Sequence, residues 1–218
     1  MNIEEIYKKY KIPPNLRLHQ LRVAAVAKLI VENWIGEEEI DEDVIITACL
    51  LHDMGNIIKF NLEIFPEYLE PEGYDYWKSI QNEFVEKYGN DEHKATFQIA
   101  EEIGVSEKVT EILESWGFSN GRETARSTSY EAKISRYADQ RVDVDGAKSM
   151  QERHQKSRDR YRKRKNFKHL TDKDEFEVLA KSWKEIGKQI FENCKIDPED
   201  ITDEKINPIV ETLWTRNI

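Results

Sequence analysis

The most uniformly apolar stretch of the chain is Val44–Leu51, broken only by Thr47 and apolar on every side of a helix. Such a segment is a helix buried all round. It runs directly into two polar groups, His52 and Asp53, after which Gly55 and Asn56 loosen the helix. A core helix that delivers an imidazole and a carboxylate together at its end carries groups that need partners. A second such stretch covers residues 16–34, where Leu16, Leu18, Leu21, Val23, Val26, Leu29 and Ile30 leave little polar face and Asn15 is the expected cap. His19, Val23, Val26 and Ile30 share one side of it, which turns His19 inward.

Elsewhere apolar positions recur at helical spacing and no alternating strand pattern appears, so the fold is expected to be all-α. A short helix over 3–10 ends at Ile12-Pro13-Pro14. Others are predicted over 75–88, closed by Gly89, and over 92–103, opened by Asn90 or Asp91, with His93, Phe97 and Ala100 on one face. Ser106 caps a helix running to Trp116 and stopped by Gly117. Residues 119–127 read as a loop, and Thr128 with Glu131 as the capping box of a helix over 129–140. After Gly146 a long charged helix reaches about 165, followed by a pair over 172–193 and 203–215. Residues 56–77, rich in aromatics, read as an ordered loop or short helix over the core. Tyr74, Tyr76 and Trp77 there either wall a pocket or, the simpler reading, pack inside. The expected division is a helical domain over 1–146 and a basic helix with C-terminal helices, packed on it, over 147–218.

Composition narrows the classes. The 218 residues suffice for one large core, and glycine (9) and proline (6) are too scarce for a turn-rich β architecture. No apolar run approaches membrane-spanning length and the N-terminal residues lack a signal peptide's apolar segment, so a cytoplasmic protein with no membrane contact is expected. Cys49 and Cys194 are too far apart in sequence for thiolate metal spacing and form no disulfide framework. The net charge of −10 is uneven: residues 153–168 hold nine Lys/Arg against the single acid Asp159. An acidic protein with one basic arm is not a generic nucleic-acid binder. The arm is expected to face the protein's own acidic surface, with RNA or a phosphorylated substrate as alternatives. His154 and His169, within or beside it, read as surface residues.

The inward or helix-end groups are then His19, His52, Asp53, His93 and Asp139. Nitrogen and carboxylate oxygen without thiolate suit manganese, iron, cobalt, nickel or zinc, and three or four protein ligands with positions left open make a catalytic rather than a structural site. The order H…HD…D, in His19, His52-Asp53 and Asp139, resembles the HD-domain superfamily of metal-dependent phosphohydrolases. So do the surrounding stretches L-R-L-H-Q-L-R-V-A-A-V-A, A-C-L-L-H-D-M-G-N and I-S-R-Y-A-D-Q-R-V-D. The likeness covers about residues 15–145. It implies an all-α, HD-domain-like bundle with a C-terminal helical extension, and metal ligands at His19, His52, Asp53 and Asp139. One tightly held divalent cation per chain, magnesium included among the candidates, is expected, with two as the alternative. His93 is the one histidine in the interval where two-metal members place further ligands. Where nucleotidase members carry glutamate and many diesterase members lysine, this chain has Asn56, which can orient water or phosphate but cannot act as a base. Lys59 is placed to supply the missing positive charge.

The resemblance thus implies hydrolysis of a phosphomonoester or phosphodiester in a small metabolite or nucleotide by a metal-activated water. Asp53 would orient the water and His93 would donate to the phosphate or leaving oxygen. Arg22, one turn from His19, and Arg136, one turn before Asp139, would bind phosphate oxygens or serve as ordinary ion pairs. Two alternatives stand beside this reading: a di-iron oxygenase of similar fold, which requires a fuller ligand set, and a regulatory module binding nucleotide or RNA through the basic arm. The arm lies outside the matched stretches and is expected to modulate activity rather than create it.

Overall fold

The computed structural model describes residues 1–64, 69–162 and 173–218. Asn2 opens α1 (Ile3–Lys9) through a capping box with Glu5. In α2 (Pro14–Glu32) a proline takes the first position, where its missing N–H costs nothing, so Pro13 and not Asn15 flanks the helix. Asp41 caps α3 (Glu42–Leu51) by accepting from the Val44 N–H. There follow α4 (Tyr74–Tyr88), ended by Gly89 at φ 85°, and α5 (Glu92–Ile103), whose cap Asp91 accepts from the His93 and Lys94 N–H groups. Next are α6 (Glu107–Glu114), α7 (Gly121–Arg126) and α8 (Tyr130–Asp139). A two-stranded antiparallel ribbon, β1 (Val142–Asp143) with β2 (Gly146–Ala147), turns the chain into α9 (Met150–Arg162). The chain continues through α10 (Lys173–Phe191) and α11 (Asp203–Leu213).

Three local expectations are corrected. Residues 118–126 are a 3-10 turn and α7, not a loop, because Trp183 of α10 packs directly on Gly121. A Cβ at Gly121 would lie 2.7 Å from the Trp183 Nε1, and that indole donates to the Phe118 carbonyl at 3.0 Å. Ser129, one residue past Thr128, caps α8: its Oγ accepts from the Ala132 N–H and donates to Glu131. The β ribbon has two residues per strand, too few for an alternating pattern to register. Of the aromatic loop, residues 65–68 lie outside the described residues. Trp77 is buried and donates to the Leu69 carbonyl, whereas Tyr74 and Tyr76 are exposed.

The core centres on α2, whose Leu21, Val23, Ala24, Ala25, Val26, Ala27 and Ile30 are fully buried. The run of alanines lets α3, α8 and α11 approach it closely. Leu18 points the other way and is exposed. Helix α10 covers α7 and α8, and one continuous apolar cluster runs from Ile3 to Leu213. Among the described residues no helix is long and apolar enough to cross a membrane.

Gly55 fixes where α5 sits relative to the end of α3. Its N–H donates to Thr96 Oγ1 at 2.9 Å, and a Cβ there would lie 2.3 Å from the Glu92 carbonyl oxygen. Gly55→Ala is therefore expected to lower stability by about 1–3 kcal/mol through overpacking. In a thermal melt this is a fall of about 2–4 °C per kcal/mol; an unshifted melt would mean that α5 yields freely.

Candidate metal centre

The last turn of a helix leaves carbonyls without intrahelical partners, and at the end of α3 three of them are met in ways that shape the site. The Leu50 carbonyl accepts from the buried Tyr7 hydroxyl at 2.7 Å, and the Leu51 carbonyl from the Met54 N–H at 3.2 Å. The Cys49 carbonyl lies 2.8 Å from His52 Nδ1. A carbonyl can only accept, so Nδ1 carries the proton and Nε2 keeps its lone pair. Stacking on Trp116, at 4.6 Å between ring centroids and 19° between planes, holds the His52 ring in place. His52 is 2% exposed, and its Nε2 is buried with no hydrogen-bond partner. Asp53 Oδ2 and Asp139 Oδ1 face it at 3.6 and 3.7 Å, beyond hydrogen-bonding distance.

His19 enters from α2. Its Nε2 lies 3.3 Å from Asp139 Oδ1 and 3.7 Å from Asp53 Oδ2, and its ring stands edge-on to His52 at 5.3 Å. The neighbouring Gln20 accepts the Asp53 N–H at 3.2 Å, so one turn of α2 both supplies an imidazole and places the carboxylate opposite. Asp139, the last residue of α8, accepts from Trp116 Nε1 (3.4 Å) and Gln140 Nε2 (3.3 Å) on Oδ2, leaving Oδ1 toward the histidines. Burial alone would raise its pKa. The hydrogen bond from His19, then the electrostatic influence of the His52 and His19 rings and of the Arg153 guanidinium, outweigh that and hold the carboxyl well below the usual carboxylate range. Ligand atoms of His19, His52 and Asp53 lie within 4.8 Å of one another, a group able to hold a metal ion.

The other expected site residues divide. Asn56 is buried directly after the site, its N–H bonded to the Asp53 carbonyl. Lys59 is half-exposed and bonds Glu92 Oε1 at 3.2 Å. Arg22 donates from Nη1 to the Val144 carbonyl at 3.0 Å. Arg136 is corrected: its buried guanidinium donates to Thr124 Oγ1, the Ile112 carbonyl and Ser115 Oγ, filling the junction of α6, α7 and α8. One turn from Asp139 it runs into neighbouring helices, with no face left for a substrate. His93 is corrected as well. The core-facing stripe of α5 is Ala95, Thr96, Ile99 and Ala100, and the first turn, which holds His93, lies beyond it. The His93 side chain is 52% exposed and pairs with Glu92 at 3.7 Å.

His154 is buried, not at the surface, with Phe118 and Phe176 against its ring at 5.3 and 6.2 Å. Burial, then the charges of Arg153 and Lys184, push its pKa down to about 4. In the described part of the basic arm, Lys156 pairs with Asp143 and Asp145, and Arg158 with Glu177. Residues 163–168 and His169 lie outside the described residues. Trp116, Gln20 and Tyr7 went unforeseen as parts of the site. Trp116 beside Gly117 reads as a helix end, Gln20 as a neighbour of His19 and Tyr7 as core, and none carries a spacing signal.

Residues 17–142 match the HD domain family, a span that includes His19, His52, Asp53 and Asp139 and ends before α9. No curated protein and no solved structure matches the chain.

Two outcomes follow from the buried Arg136 and His154. Arg136→Gln strips donors from three acceptors in the helix junction, so stability should fall by about 1–3 kcal/mol, while metal content per folded chain stays that of the wild type by elemental analysis. His154 is neutral in the folded chain down to about 4 but titrates near 6.5 when unfolded, so stability falls as pH drops through that window. The loss is on the order of 2–3 kcal/mol by pH 4.5. Urea melts of His154→Phe at pH 7 and 4.5 should show a smaller acid loss than the wild type; an equal loss would mean that the ring is hydrated.

Proposed function

The chain belongs to the HD domain family, of the superfamily of metal-dependent phosphohydrolases, and from that premise we propose that it hydrolyses a phosphate ester of a small metabolite or nucleotide. The proposed site is a divalent cation held by His19, His52, Asp53 and Asp139. The observation that carries this reading is His52. An imidazole whose Nδ1 is bound to the Cys49 carbonyl and whose Nε2 lies buried and unpartnered before two carboxylates is costly without a cation and well suited to one. Two imidazole nitrogens and two carboxylate oxygens fit manganese, iron, cobalt, nickel or zinc.

When bound, the cation supplies Lewis acidity, bringing proton loss from water toward neutral pH and polarising a phosphoryl oxygen. The chain's own residues do the rest. Asp53, its backbone fixed by Gln20, orients the attacking water with its carboxylate. Asn56, buried next to it, offers an amide in place of a charged base. Trp116 shields one face of His52 and bonds Asp139, keeping the carboxylate aimed at the histidines. A single cation is favoured over two, and a phosphohydrolase over a di-iron oxygenase. His93 is exposed, and the nearby acid Glu92 is already bound by the Lys59 ammonium.

Asp53→Ala should reduce bound metal from about one per chain to near none and abolish hydrolysis across a panel of phosphomonoesters and phosphodiesters. Far-UV circular dichroism should be unchanged, since Asp53 lies past the end of α3. Wild-type metal content in the purified variant would overturn the assignment.

A further inference from the structure

We propose that Arg153, at the start of the basic helix α9, forms with Arg22 a guanidinium flank of the metal centre that binds the anionic oxygens of the substrate's phosphoryl group. The inference rests on the phosphohydrolase reading and extends it to a residue beyond the family match, which ends at residue 142.

The chain path brings the two arginines to one place. Arg22 stands one turn beyond His19 on α2, and its Nη1 donates to the carbonyl of Val144 at the ribbon tip. Asp139 ends α8, and the ribbon that follows within a few residues returns the chain to α9. There Arg153 Nη1 comes to 3.9 Å from Asp143 Oδ1, next in sequence to the Val144 that holds Arg22.

Neither guanidinium is used up by these contacts. Each offers five N–H donors in a fixed fork. Arg153 spends Nη1 on Ser157 Oγ at 3.1 Å; its Nε is buried with no partner, and among the described residues its Nη2 has no hydrogen-bond acceptor. Arg22 spends Nη1 on a neutral carbonyl, and its Nε is likewise buried without a partner. Asp143 does not account for Arg153, because 3.9 Å is outside hydrogen-bonding range and Lys156 Nζ approaches the same carboxylate more closely, at 3.3 Å. Two under-used forks beside a cation-binding carboxylate suit an acceptor with several charged oxygens, as a phosphoryl group presents. The start of the basic helix would then belong to the substrate site, against the expectation that the whole arm only modulates.

The test is calorimetric binding of inorganic phosphate to the metal-loaded full chain. The wild type should bind it. Arg153→Ala and Arg22→Gln should each weaken binding about ten- to hundredfold with metal content unchanged. Arg158→Ala, which removes the same charge from the same helix at a residue paired with Glu177, should leave affinity within about twofold. Should Arg153→Ala not fold, Arg153→Lys keeps the charge without the fork and should still lose affinity several-fold. No phosphate binding by the wild type, an unchanged affinity in the Arg153 variants, or an equal loss in Arg158→Ala would overturn the proposal. A wild type that binds no metal would instead sink the phosphohydrolase reading, and the same comparison on the metal-free chain would still decide the role of Arg153.

Discussion

The hydrogen bond between His52 Nδ1 and the Cys49 carbonyl is the contact on which the site depends. It satisfies a helix-end carbonyl that would otherwise be buried and unpaired, and it settles the tautomer, so the lone pair of Nε2 faces Asp53 and Asp139. Neither effect needs a residue beyond the helix that precedes His52. The long apolar run of α3 is what makes this hold. Because Val44 to Leu51 is buried on nearly every side, water cannot compete for the Cys49 carbonyl, and the ring has one place to go. Trp116 on one face and the edge of His19 on another leave it no alternative rotation. A stability requirement of a buried helix end and a chemical requirement of an imidazole able to hold a metal are met by the same bond.

The fold was legible in the chain wherever burial and helical period coincide. Residues such as Val44–Leu51 on α3 and Val23, Val26 and Ile30 on α2 are apolar because the core demands it, and caps such as Asp91 and Gly89 stand where helix ends need them. His19, His52, Asp53 and Asp139 could be picked out because each sits at a helix end or inward face and in the HD order, and the structure brings them face to face. Residues whose position depends on another helix were not legible. Arg136 shares a turn with Asp139, but whether it meets substrate or protein is decided by α6 and α7. His154 lies in a segment charged enough to read as solvated, yet Phe118 and Phe176 come from elsewhere to enclose it. His93 failed for a simpler reason, since periodicity places a residue on a face but not above or below the edge of the core. Trp116 escaped because an aromatic residue before a glycine looks like a stop.

Charge is arranged with the same economy. The chain is acidic as a whole, which by itself would repel a phosphorylated substrate. The basic helix returns beside the ribbon that follows Asp139, and its Lys156 and Arg158 side chains pair with Asp143, Asp145 and Glu177. Lys156 and Arg158, in the described part of that helix, are thereby tied to the protein's own acids. Among the described residues, the guanidinium groups of Arg22 and Arg153 keep donors to spare.

The same accounting bears on how many cations the centre takes. As ligands, two carboxylates from Asp53 and Asp139 and two imidazole lone pairs from His19 and His52 would balance one divalent ion. A second ion would need another carboxylate and another imidazole. Glu92 and His93 stand in the first turn of α5, whose backbone Gly55 lets come into contact with the turn after Asp53. Glu92, however, already bonds the Lys59 ammonium at 3.2 Å, and His93 faces solvent. A metal drawn to Glu92 would have to displace an ammonium that is covalently part of the chain and costs no entropy of association to keep nearby. Lys59 therefore places a built-in positive charge beside Glu92, the acid that a second ion would have to recruit. The Asn56 position, which carries no charge, leaves that lysine without a competing carboxylate on its own turn.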